Sequence, residues 1–319
     1  LRRHEGSDGV RFIRKIIVVR AEDSPNVKRA LAMKAAGQEP DGLVVVPGVL
    51  SWDEYEKRRK AWDPQRQAVG LDGEFYEGAE LRLFPSAWLD AAMALPVSDR
   101  HRCRALGCDP AEGGDNTSWA VVNEHGLANL VSMKTADTSE ITGRTIALGR
   151  EHGVPADRWF FDRGGGGKQH ADNLRAAGWP CRTIGFGESV TLEPRRGLVR
   201  LEERREQREE RYAYKNRRAE MYGVLRALLD PANGAGFGLP PELTLTPRGD
   251  GGPCLRDQLA AMPLRYDGEG RLYLPPKQTD GDGESLVKVL GCSPDEADAL
   301  VLAVWGMLAP TERRRAGAA

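Results

Sequence analysis

Most residue patterns that declare an enzyme class are missing from this chain. Its five cysteines, Cys103, Cys108, Cys181, Cys254 and Cys292, are scattered, with no Cys-x-x-Cys pair and no histidine at zinc-ligand spacing. A structural zinc needs such closely spaced ligands, so the cysteines argue against zinc and for a reducing compartment. The five histidines, at positions 4, 101, 125, 152 and 170, form no His-Glu-x-x-His pair and accompany no serine or cysteine elbow. Neither a zinc protease nor a triad hydrolase is indicated. No apolar run approaches the roughly 20 residues of a membrane-spanning helix, so no membrane association is expected. Neither sign of charge dominates: 46 Lys and Arg face 47 Asp and Glu, a net of -1. Proteins held on nucleic acid by bulk electrostatics are usually basic. A leader of charged then apolar residues is also missing, and the first residue is Leu1, so the chain reads as a fragment of a longer protein or as one numbered after processing.

What is present is a globular composition, 40% hydrophobic and 29% charged, in 319 residues that suffice for one large domain or two modest ones. An apolar run over 15–19, followed by Ser24-Pro25-Asn26, reads as a strand leaving for a turn. Ser51 and Glu54 have capping-box spacing and open a helix. A turn-rich stretch from Gly70 to Tyr76 and a short helix after Pro85 follow. Residues 96–102 are polar and aperiodic, and the boundary placed there divides the chain into 1–98 and 99–319. Beyond it the pattern predicts strands over 104–108, 118–123 and 127–134, antiparallel because glycine turns join them, then a helix over 139–152, a strand over 158–161, a helix over 168–177 and a strand over 181–185. Three strands, helix, strand, helix, strand is the order of an RNase H-like core, an α/β fold with a mixed sheet flanked by helices. A helical pattern over 198–229, a hairpin over 264–274 and a helix over 294–308 complete the chain.

Acidic residues stand where this order brings strand ends together. Asp109 closes the first core strand and Asp162 the fourth, each after an apolar or aromatic run; if these two strands are neighbours, both carboxylates emerge at one sheet edge, within reach of a shared cation. Asp295 and Asp298 lie three apart on the last helix and share a face. Oxygen ligands in such a cluster select Mg or Mn. Each aspartate also has an ordinary reading: a turn at Asp109-Pro110, a loop start at Asp162, a helix N-terminal acid at Asp295. Asp298, inside an apolar series, is the hardest to explain without a partner. The run Gly164-Gly165-Gly166-Gly167-Lys168-Gln169 is not a phosphate-binding loop, because Gln169 replaces the required hydroxyl. Its glycines read either as letting substrate backbone approach Asp162 or as a flexible connection. His170 reads as a surface residue or a neighbour of the cleft. Between Arg195 and Arg218, ten Lys or Arg stand against five Glu, which reads as a solvated mixed-charge helix or as a DNA track.

Three segments resemble phage large terminases. Gly107-Cys108-Asp109-Pro110-Ala111-Glu112-Gly113-Gly114-Asp115 is similar to the start of that family's nuclease domain. Tyr214-Lys215-Asn216-Arg217-Arg218-Ala219-Glu220-Met221-Tyr222 is similar to its Asn-Lys/Arg-Arg-Ala-Glu-Met helix, and Ser293-Pro294-Asp295-Glu296-Ala297-Asp298-Ala299-Leu300 to its closing signature. The resemblance implies an RNase H-like endonuclease that cuts concatemeric double-stranded viral DNA during packaging with two Mg2+ or Mn2+ ions about 4 Å apart. It makes Asp109 and Asp162 metal ligands, with Asp298 favoured over Asp295 as the third and Asp115 a supporting acid; Lys288, a few residues before the acidic pair, is a candidate phosphate contact by its position. It assigns 1–98 to the end of a packaging ATPase domain lacking its ATP-binding loop, with no ATP turnover expected. The portal protein and the small terminase subunit become implied partners and the host cytoplasm the implied location. The rival expectations are another RNase H-like nuclease, such as a junction resolvase or transposase, and a non-catalytic DNA- or capsid-docking module.

Overall fold

The computed structural model describes residues 18–61, 67, 70–73, 82–98, 102–190, 214–234, 236–267, 271–279 and 283–309. Most of the expected strand over 15–19, the stretch 198–213 with most of the basic segment, Glu74-Phe75-Tyr76 and the tail from Arg313 lie outside them. Packing divides the chain into Leu1–Leu81 and Arg82–Ala319.

In the first unit, α1 (Pro25–Ala35) and α2 (Trp52–Ala61) bury Val27, Ala30, Trp52 and Tyr55 with Leu71. The turn expected at Ser24-Pro25-Asn26 is a helix start instead. Proline at the first helical position gives up an N–H that would be unpaired anyway and presets φ. The Ser24 hydroxyl donates to the Leu50 carbonyl, 2.9 Å away. At α2 the expected cap is present, with the Glu54 N–H donating to Ser51 Oγ at 3.2 Å.

The second unit holds α3 (Ser86–Met93), which buries Leu89 and Ala92, and then the sheet. Its strands are β1 (Ala105–Asp109), β2 (Thr117–Asn123), β3 (Gly126–Met133), β4 (Trp159–Asp162) and β5 (Arg182–Ile184). Helix α4 (Thr138–Glu151) connects β3 to β4, and α5 (Gly167–Ala176) connects β4 to β5. The strand order is β3-β2-β1-β4-β5, antiparallel across the first three and parallel from β1 to β5. This is the mixed sheet the element order predicted, with ends shifted by a residue or two. After it come α6 (Arg217–Leu229), the short helices α7 (Pro241–Thr244) and α8 (Leu255–Ala261), the hairpin β6 (Arg265–Tyr266) and β7 (Leu272–Tyr273), α9 (Leu286–Leu290) and α10 (Asp295–Leu308). Helix α3 packs against α6 and α8, so residues from Arg82 onward join the sheet unit ahead of the polar 96–102 stretch.

Side chains alternate across a strand, and each face of the sheet has its own cover. Leu106 and Cys108 of β1, Trp119 and Val121 of β2, and Trp159 and Phe161 of β4 join Ile141 and Leu148 of α4 and Ala171 and Leu174 of α5 in one apolar cluster. The alternate residues face α10, which is buried along nearly its whole length, as expected of a helix apolar all round. At Gly107 a β-carbon would stand 2.2 Å from the Ala299 carbonyl oxygen, and at Gly306 one would stand 2.3 Å from the Phe160 ring. The missing side chains therefore let the β1 backbone approach the α10 backbone at Gly107 and seat the Phe160 ring against α10 at Gly306.

Candidate active site

The alternation that puts Gly107 under α10 also puts Asp109 there, two residues on. Cys108 is opposite Phe161 in the parallel β1–β4 register, so the next pair along is Asp109 and Asp162, on strands about 4.8 Å apart. Both carboxylates emerge where their strands end, as the sequence predicts. Helix α10 supplies the third group: Asp298, fully buried, lies one turn inside its start.

One cation joins two of these acids. Lys277 Nζ donates to Asp109 Oδ2 at 2.7 Å and lies 2.9 Å from Asp298 Oδ2. Asp162 Oδ1 is buried and has no hydrogen-bond partner. Burial pushes the Asp109 carboxyl well above the usual range; Lys277 opposes this, while Asp298, Asp162 and Asp295 add to it. Burial likewise raises Asp162, again against the pull of Lys277. Asp298 differs: burial would raise it, but Arg218 and Lys277 together hold it below the ordinary carboxylate range.

Asp295 is also buried, near enough for its charge to act on Asp109, but its Oδ2 has partners of its own. Its Oδ2 accepts from the Asn116 N–H at 3.2 Å and from Arg248 Nη1 at 3.3 Å, and Arg248 in turn bridges to Asp250. Burial pushes Asp295 up to about 6. Asp115 is exposed in the β1–β2 connection, and its charge adds to the upward push on Asp295. Lys288 is exposed on α9 and donates to the Gly283 carbonyl at 3.0 Å.

The four glycines after Asp162 face their own chain. A β-carbon would stand 1.8 Å from the Asp162 carbonyl oxygen at Gly167, and 2.1 Å from Glu112 Oε1 at Gly166, where φ is +83°. They close the β4–α5 connection against the Pro110–Glu112 turn. His170 is not a surface residue: it is 1% exposed, and Glu112 Oε1 lies 3.6 Å from its Nε2. Of the basic segment, Arg218 is buried on Asp298, Arg217 lies over Trp305, and Lys215 stays exposed beside Tyr273.

Sequence reasoning missed Lys277, Tyr222 and Arg248. Lys277 follows Pro275-Pro276 in irregular chain, where no periodicity marks it. In the sequence Arg218 is one positive charge among ten and one position of the terminase-like helix segment, with no role at the acidic cluster assigned to it. The signal that could have found it was its place one turn from Tyr222 on a helix that must also bury Met221 and Leu225.

Among the described residues, no group of three or more His, Cys, Asp or Glu side chains is placed so that it could hold a metal ion. The donor chemistry nonetheless fits a hard divalent cation. Two carboxylate oxygens already converge on an ammonium, and a third carboxylate beside them keeps an unpartnered oxygen. No described helix is long and apolar enough to cross a membrane.

No protein-family model matches the chain, and no curated protein matches it. Among solved structures, it is similar to the nuclease domain of the large terminase subunit gp2 of bacterial virus Sf6, with a TM-score of 0.51 and 18% identity over 72% of this chain and 100% of that one. A lysine-to-alanine variant of that domain with manganese gives 0.51 at 17% identity, and one with calcium gives 0.50 at 17%, over the same shares. At such identity the likeness concerns the fold: this chain carries the RNase H-like fold found in the nuclease domains of phage large terminases.

Proposed function

We propose that the chain is a divalent-metal-dependent DNA endonuclease of the large-terminase type, with Asp109, Asp162 and Asp298 as its metal ligands. The observation that carries this reading is the convergence of Asp109 Oδ2 and Asp298 Oδ2 on one cation, at the sheet end where Asp162 Oδ1 is left unpartnered. It favours Asp298 over Asp295 as the third ligand, because Asp295 Oδ2 is turned to Arg248 and the Asn116 N–H.

When bound there, Mg2+ or Mn2+ would supply an activated water and charge stabilisation for the leaving 3' oxygen. The chain's own part is to hold three buried carboxylates at one end of the sheet and to balance their charge with Lys277 and Arg218. Two ions, concatemeric viral DNA as substrate, the portal protein and small subunit as partners, and the host cytoplasm as location belong to the same proposal, on the strength of the resemblance. So does the assignment of 1–98 to the end of a packaging ATPase domain. The exposed part of the basic segment would face DNA, with binding that weakens as salt rises.

The test is cleavage of supercoiled and linear duplex with Mn2+ or Mg2+, set beside branched DNA and RNA–DNA hybrid. Asp109→Asn, Asp162→Asn and Asp298→Asn are each expected to lower the rate more than about 100-fold, beyond the range typical of groups outside the ligand shell. Asp295→Asn should retain most of it. Undiminished cleavage by the Asp109 or Asp162 variant would overturn the mechanism, and cleavage confined to branched DNA would transfer the chain to the resolvases.

A further inference from the structure

Asp298 is held from behind by two side chains to which the reading above gives no part in orienting it. Arg218 and Tyr222 stand one turn apart on α6 and so share a face. On Asp298, Oδ1 accepts from Tyr222 Oη at 2.8 Å and from Arg218 Nη2 and Nε at 2.9 and 3.3 Å. Oδ2 accepts from Arg218 Nη2 at 2.8 Å, and Lys277 Nζ is its other neighbour, at 2.9 Å. The α6 side therefore saturates Oδ1 and leaves the outward side of Oδ2 to whatever cation occupies the cleft.

The clamp is itself fixed. The Arg218 guanidinium lies 5.3 Å from the Phe186 ring centre and 5.8 Å from that of Tyr222. The start of α6 is tied to the exit of β5 by the Arg217 N–H on the Glu188 carbonyl at 2.8 Å and the Arg218 N–H on the Phe186 carbonyl at 3.0 Å. Asn216 caps the helix through the Ala219 N–H. A guanidinium is a rigid planar fork, and a phenol donates one proton along one direction, so together they permit a single carboxylate orientation.

We infer that Arg218 and Tyr222 are positioning residues that aim Asp298 Oδ2 at the metal site, an inference that rests on the metal-binding reading proposed above. The charge-preserving Arg218→Lys and the neutral Tyr222→Phe separate aim from net charge. Lysine keeps the positive charge and loses the fork, while phenylalanine loses one oxygen and keeps the ring.

The experiment is calorimetric titration of Mn2+ into the metal-free full chain, with thermal melting of each variant alongside. Both variants are expected to weaken Mn2+ binding by about 10-fold or more while the folded fraction at assay temperature stays complete. A purely structural role would instead lower the melting temperature and leave the Mn2+ affinity of the folded protein unchanged. Affinities within about twofold of the original chain in both variants would overturn the inference; should Arg218→Lys not fold, Tyr222→Phe decides. Asp298→Asn separates the two levels. If it binds Mn2+ like the original chain, the ligand assignment fails and the inference with it; if it loses binding while the clamp variants do not, the inference alone fails.

Discussion

A carboxylate with no exposure to water costs several kcal/mol unless it is matched, and the fully buried Asp298 is matched twice over by cations and once by a hydroxyl. Such matching explains how an acid survives inside an apolar helix. His170 is the opposite case. Both its ring nitrogens are buried without hydrogen-bond partners, and burial lowers its pKa despite the pull of Glu112. The neutral ring is the folded form, and an unfolded chain takes up a proton below about pH 6.5. His170 therefore contributes stability that is complete above that pH and is lost as pH falls towards its depressed folded value, with a slope of at most about 1.4 kcal/mol per pH unit. Urea midpoints between pH 7.5 and 5.5 should fall more steeply in the original chain than in His170→Gln. Parallel curves would show that the histidine is not the titrating group.

At the scale of elements, the seating of α10 on the sheet decides whether the site exists. Gly107 and Gly306 give the close approach, and that approach delivers Asp298 above Asp109. A single methyl group at Gly107 has nowhere to go, because the Ala299 carbonyl and the Ala303 amide nitrogen lie 2.2 and 2.4 Å from where it would be. Gly107→Ala is expected to cost about 1–3 kcal/mol in urea unfolding and to weaken Mn2+ binding as α10 is pushed outward. A midpoint and affinity equal to those of the original chain would show that the helix can yield without moving its aspartate. The same element displays what could be read in advance and what could not. The period of its apolar series predicted a helix over 294–308, and the alternation of β1 and β4 carried the two strand-end aspartates. The partners of Asp295 and Asp298 were illegible, because Arg248 and Arg218 lie 47 and 80 residues earlier in the chain.

For the whole molecule, the relevant fact is the division of packing at Leu81–Arg82. Every candidate ligand, the clamp on Asp298 and the covers on both faces of the sheet lie in Arg82–Ala319. A fragment spanning 82–319 should unfold in one cooperative urea transition and bind Mn2+ as the full chain does; a fragment that is unfolded or does not bind would show that the first 81 residues are needed for the site. The net charge of -1 hides the local basic segment and indicates little about DNA. Two arginines of the basic segment, Arg217 and Arg218, are engaged inside the fold, which a linear count of charge cannot reveal.

The division between what was legible and what was not follows the range of the forces involved. Strand, turn and helix periods are local, so the chain order predicted the mixed sheet and placed Asp109 and Asp162 at strand ends, while the pairing of β1 with β4 made those ends neighbours. Contacts between distant segments have no local period. Only folding brought Lys277 from a proline-led loop, Arg218 and Tyr222 from α6 and Arg248 from the α7–α8 connection to the acids they face. In doing so it set Asp298 against Lys277, Arg218 and Tyr222, and Asp295 against Arg248 and the Asn116 N–H.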